Sequence, residues 1–246
     1  MFGGFPFGID RPYSYLEAKR LLVLAMRELK SHENLINVLA VNQAASGRPA
    51  ITGRQGDGIW DFLSLAPESG KSTFTKYPHL SVAINSQAVE AMVTVPHAVN
   101  TTMRKNLIRL GEVGFRGIVE NVVNNLNPLL LEHTGATPWF RGIHWRYPSQ
   151  RATPLVDAII EFDLRTAIPG GSPPKAQPRW LAAAYGSFVN KENANYQIGI
   201  GVVFRYDRCP ELRKPDALDL IASAWLSCKP LVDLARTEHL TAVQAA

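Results

Sequence analysis

Residues 196–207 alternate with period two. Tyr196, Ile198, Ile200, Val202, Phe204 and Tyr206 share one parity, and Gln197, Gly199, Gly201, Val203, Arg205 and Asp207 the other. Successive side chains of a strand point to opposite faces, so this rhythm predicts a strand with one buried and one wetter face. It recurs in Val156, Ala158, Ile160, Phe162 and Leu164, set against Asp157, Glu161, Asp163 and Arg165, with Ile159 the exception. Trp139–Tyr147 is rougher: Trp139, Arg141, Ile143, Trp145 and Tyr147 share an apolar parity, and His144 and Arg146 lie opposite. Trp180–Val189, rich in alanine, is read as a further strand, with a helical turn as its alternative. These segments form two consecutive hairpins, Trp139–Tyr147 with Leu155–Arg165 and Trp180–Val189 with Tyr196–Asp207. Clean alternation in neighbouring strands points to an antiparallel sheet with one face on the core.

Leu80–Asn85 and Ala88–Val95 add a third hairpin, turning at Asn85-Ser-Gln87. Helical spacing appears over Pro12–Lys30, again over His32–Gln43, and from an Asn100 N-cap to Leu110. The strongest amphipathic run is Phe115, Ile118, Val119, Val122, Val123, Leu126, Leu129 and Leu130, with Pro128 kinking or restarting it. This helix is expected to cross the apolar face of the sheet. A last helix starts at Pro215 and breaks at Pro230. The fold class is therefore α+β: a single domain over 1–246, an antiparallel β-meander of about five or six strands packed on one face by helices. Residues 1–9 read as a Phe-rich arm, 46–78 as a long irregular loop, and 237–246 as a frayed tail.

Composition narrows the function classes. The chain has 246 residues, is 46% hydrophobic and 19% charged, and carries a formal charge of +5, with a sequence pI near 9.3. That is a packed globular composition whose mild basicity permits a polyanionic partner without requiring one. The two cysteines, Cys209 and Cys228, have no metal-ligand spacing and point to reduced thiols in a cytoplasmic protein. The N-terminus lacks the basic start and apolar run of a signal peptide. No stretch approaches the roughly 18 apolar residues of a membrane span, so no membrane partner is expected, and no cofactor motif is present.

Chemistry gathers on the polar parity of the sheet. Glu161 and Asp163 are two apart on one strand and therefore side by side, an arrangement able to hold a divalent cation, with His144 as general acid or base. The next alternate position holds Arg165, a poor base. Arg141, Arg146, Arg165 and Arg205, interleaved with aromatics, suit phosphate and base contact. In the long loop, Gly53, Arg54, Gly56 and Lys71 suggest an anion cradle, and Ser69-Gly-Lys-Ser-Thr73 lacks the leading glycine of a P-loop, Leu65 standing in its place. With no catalytic signature, the reading leans away from an enzyme. It is a non-enzymatic binding or assembly protein, with nucleic acid, a protein partner or a homo-oligomer as candidate contacts. The alternatives are a metal-dependent nuclease or phosphodiesterase using Glu161, Asp163 and His144, and a self-assembling structural subunit.

Overall fold

The computed structural model describes residues 12–44, 58–66, 77–96, 102–145, 156–166, 178–190 and 196–236. Its strands are β1 (Ile59–Ser64), β2 (His79–Ile84), β3 (Ala88–Val95), β4 (Ala136–Trp145), β5 (Val156–Asp163) and β6 (Tyr196–Arg205). They form one six-stranded sheet in the order β1-β2-β3-β6-β4-β5, and every pairing is antiparallel. The α+β class and the antiparallel sheet are as the alternation predicts. The order adds one feature to the expected meander: β6, the last strand among the described residues, lies between β3 and β4.

One face of the sheet carries Val82 and Ile84 of β2, Val89 and Val93 of β3, Ile200, Val202 and Phe204 of β6, Phe140 of β4 and Phe162 of β5, all buried. Against it pack the helices α1 (Pro12–Lys30), α2 (Glu33–Leu39), α3 (Thr102–Glu132), α4 (Pro178–Val189), α5 (Ala217–Ser227) and α6 (Lys229–Arg236), and their inner stripes join a single hydrophobic cluster. Phe115, Val119, Val122 and Leu126 of α3 are fully covered, as the 3.6-residue period requires. α3 breaks where the sequence places a boundary, at Gly111, whose φ of 70° suits glycine alone. Pro128 stays within the helix, and Pro230 sits in the first turn of α6, where its missing N–H costs nothing.

Two expectations are corrected. Trp180–Val189 is the helix α4 and not a strand. Leu181, Ala184 and Phe188 are its buried positions, spaced three and four apart, and alanine is the best helix former. The 46–78 stretch is not wholly irregular, because β1 occupies Ile59–Ser64. There the apolar parity Ile59, Asp61, Leu63 is interrupted by a carboxylate, which hides the strand rhythm.

Asp61 is a charged group on the core face. It is 1% exposed; its Oδ1 accepts the Phe62 N–H at 2.8 Å, and its Oδ2 has no partner. Burial pushes its pKa up from 3.8 to about 6, against the opposing Phe62 hydrogen bond. The folded chain then holds a proton that the unfolded chain releases. The stabilising contribution is complete below the unfolded pKa and is lost as pH rises through about 6, a change on the order of 2–3 kcal/mol. Asp61→Asn, which mimics the protonated group, should stabilise the protein by about 2 kcal/mol near pH 7.5 and by almost nothing near pH 4. Urea unfolding of both chains at the two pH values checks this, and an equal difference at both would contradict it.

Candidate functional site

The second face of the sheet is built by register. Glu161, Arg141, Gly199, Thr94 and His79 stand opposite one another in one row across β5, β4, β6, β3 and β2. Asp163, Trp139, Gly201, Met92 and Ser81 form the next. Because β6 contributes only glycine to these two rows, its surface is a bare floor. Arg141 lies across that floor and reaches β3, where its Nη1 donates to Glu90 Oε2 at 2.6 Å and its Nη2 to Glu90 Oε1 at 3.2 Å. Its Nε donates to Glu161 on the other side. The guanidinium is thus held between two carboxylates over four strands, with the paired geometry that makes arginine–carboxylate contacts strong. Burial works against its charge, but the hydrogen bonds and charges of Glu90 and Glu161 outweigh burial and hold its pKa above the ordinary arginine value.

This face is only partly open. β3 is buried on both sides: Glu90, Met92 and Thr94 are buried, as are the core residues between them. Ser81 and Thr94 hydroxyls bond each other at 2.8 Å. His79 is buried beside Phe62, and burial, opposed by the Tyr77 carbonyl, lowers its pKa to about 4, so it is neutral at physiological pH. Exposure increases toward β5, where Ile159 and Glu161 meet solvent.

The residues nominated from sequence separate. Glu161 and Asp163 do share the second face, but each is committed. Asp163 receives Arg165 Nε at 3.0 Å and the Arg165 backbone N–H at 2.9 Å, closing the 3₁₀ turn Leu164–Thr166. That ion pair raises the Arg165 pKa. Arg205 pairs with Asp207 at 3.0 and 3.1 Å and lowers the pKa of that carboxylate. So Arg141, Arg165 and Arg205 are each matched by an acid. His144 is on the helix-covered face, stacked on Tyr196 with ring centroids 5.3 Å apart, opposite in parity to Glu161 and Asp163. The assigned faces of β4 are therefore exchanged: Phe140, Gly142 and His144 point inward, and Trp139, Arg141 and Ile143 outward. The aromatic weight of Trp139 and Trp145 obscured this, as did the register shift between His144 and Trp145. Arg146, the loop residues Gly53, Arg54, Gly56 and Lys71, the Ser69–Thr73 segment, the 1–9 arm and the 237–246 tail lie outside the described residues.

A second cluster was not legible as a motif. His133, just past α3, meets Cys209 and Glu211 at the 3₁₀ turn Pro210–Arg213. The Cys209 thiol is pushed up to about 11 by burial and by the neighbouring Glu211, and Cys228 up to about 12 by burial. Neither is a thiolate nucleophile in these surroundings. Separated by 76 positions, His133 and Cys209 have no spacing from which a pair could be read.

Comparison with protein-family models, curated proteins and solved structures finds no match. Among the described residues, no helix is long and apolar enough to cross a membrane.

Proposed function

We propose that the chain is a non-enzymatic binding and assembly protein that meets another protein surface, in the first instance a second copy of itself, through the β4–β5 end of the second sheet face. The observation that supports this reading is the internal neutralisation of that face. Glu161 is engaged by Arg141 and Asp163 by Arg165, which leaves no carboxylate pair waiting for a catalytic cation. Arg141, Arg165 and Arg205 are likewise spoken for, which weakens the case for a phosphate backbone, since counterion release needs unpaired cations. What the β5 end offers instead is ordered, charge-balanced and partly apolar. Ile159 is 53% exposed and stands opposite Ile143 on the same face, beside the Arg141–Glu161 pair. Mixed apolar and paired polar surface of this kind is typical of protein interfaces.

Light scattering over a range of concentrations tests the reading. The full chain should show a concentration-dependent mass above that of the monomer, and Ile159→Asp should lower the association by at least about ten-fold, the loss expected when an interface side chain contributing more than about 1.4 kcal/mol is replaced by a charge. A monomer at every concentration, with Ile159→Asp unchanged, overturns self-assembly. Tight, salt-dependent oligonucleotide binding would return the face to nucleic acid.

A further inference from the structure

From the His133–Cys209–Glu211 cluster we infer a zinc site that joins the end of α3 to the segment after β6. The three side chains present a nitrogen, a sulfur and a carboxylate oxygen, all within 4.8 Å of one another. His133 Nδ1 is 3.7 Å from Glu211 Oε2, and Cys209 Sγ is 3.6 Å from the same carboxylate oxygen. The His133–Glu211 separation is long for an N–H···O bond, the Cys209 thiol donates to Glu211 at a length usual for sulfur, and both distances are close to the ligand-to-ligand edges of a tetrahedral zinc centre. Metal–ligand lengths of about 2.0–2.3 Å at the tetrahedral angle give edges of roughly 3.3–3.7 Å.

An independent observation points the same way. The His133 side chain is 10% exposed, and its Nδ1, directed at the other two ligands, has no hydrogen-bond partner. A buried imidazole nitrogen without a partner is costly, and a metal ion satisfies it. The far ring nitrogen, Nε2, faces Glu132 at 3.9 Å. The mixed N, S and O set suits zinc better than calcium or magnesium, which take oxygen ligands.

The backbone around the cluster is tied down on both sides. The Ala136 N–H donates to His133 O at 2.9 Å, the Arg205 N–H to Gly135 O at 3.1 Å, and the Cys209 N–H to Arg205 O at 2.9 Å. The ligands therefore come from segments whose relative position is already fixed. Three ligands come from the described residues, and the fourth coordination position is open to water or a further donor. Binding displaces the thiol proton of Cys209.

Cobalt(II) added to the reduced, chelator-treated full chain reads the site. One equivalent per chain should bind and produce a thiolate-to-cobalt charge-transfer band, which one equivalent of zinc then displaces. Cys209→Ser should abolish the band, and Cys228→Ser should leave it intact. No charge-transfer band in the unsubstituted chain overturns the assignment. So does a band that survives Cys209→Ser in folded protein or disappears in Cys228→Ser. Should Cys209→Ser not fold, an unchanged zinc affinity in Glu211→Gln overturns it equally.

Discussion

Gly201→Ala should cost the protein about 4 kcal/mol or more and remove or greatly lower its cooperative melting transition. A Cβ at that position would stand 2.0 Å from the Ala91 carbonyl oxygen and 2.7 Å from Met92 Cα. Both atoms belong to the backbone of β3, so no rotamer change relieves the overlap, and relief requires the β3–β6 ladder to separate. Gly199→Ala is the control. It lies two residues away on the same face, and its nearest neighbours, the Arg141 carbonyl oxygen and Cβ and the Met92 Cβ, would be met at 3.8–4.0 Å, ordinary contact. There the change should fall within about 1 kcal/mol of neutral, with the lower entropy of the unfolded chain on its side. Thermal melts followed by circular dichroism separate the two. Equal stability in both variants would show that β3 and β6 adjust more freely than their backbones suggest.

Arg141→Ala should lose about 3 kcal/mol, because it leaves Glu90, only 9% exposed, without its guanidinium. Glu161→Gln, at the more exposed end of the triad, should cost no more than about 1 kcal/mol. Arg141→Lys should not restore the loss, since one ammonium cannot reproduce the paired bonds to Glu90 and the bond to Glu161 together. Replacing Arg141 and Glu90 together by methionine should recover most of it, because a matched apolar pair carries no desolvation penalty. Urea midpoints for the four variants provide the check. If Arg141→Ala cost less than about 1 kcal/mol, the triad would behave as a solvent-screened surface pair.

Much of the fold could be read from the chain because burial imposes periods. The parity of β6 and the 3.6-residue stripe of α3 were visible since each presents one face to the core and nothing interrupts it. Reading failed where one residue type answered to two demands. The alanines of α4 fit a strand face by size and a helix by propensity, and only the spacing of Leu181, Ala184 and Phe188 decides between them. Asp61 broke the pattern of β1 from within. In β4 the tryptophans Trp139 and Trp145 drew the apolar assignment onto the wrong parity, and the register shift between His144 and Trp145 breaks the alternation beyond them. The sequence placed Glu161 and Asp163 on the second face but set Arg141 on the apolar parity, and it gave no sign of their pairings, least of all of Glu90, whose partner lies 51 positions away. The His133–Cys209–Glu211 cluster escaped for the same reason, since its members meet only after α3 and β6 have docked.

The placement of β6 bears on biosynthesis. Strands β1 to β3 form one ribbon and β4 with β5 another, and the piece that welds them is made only when the ribosome reaches residues 196–205. Until then both ribbons keep an unpaired rim of peptide groups, the kind of rim that captures stray chains. Completion of the sheet therefore waits on translation of residues 196–205, and a product truncated before them would be prone to clump instead of refolding.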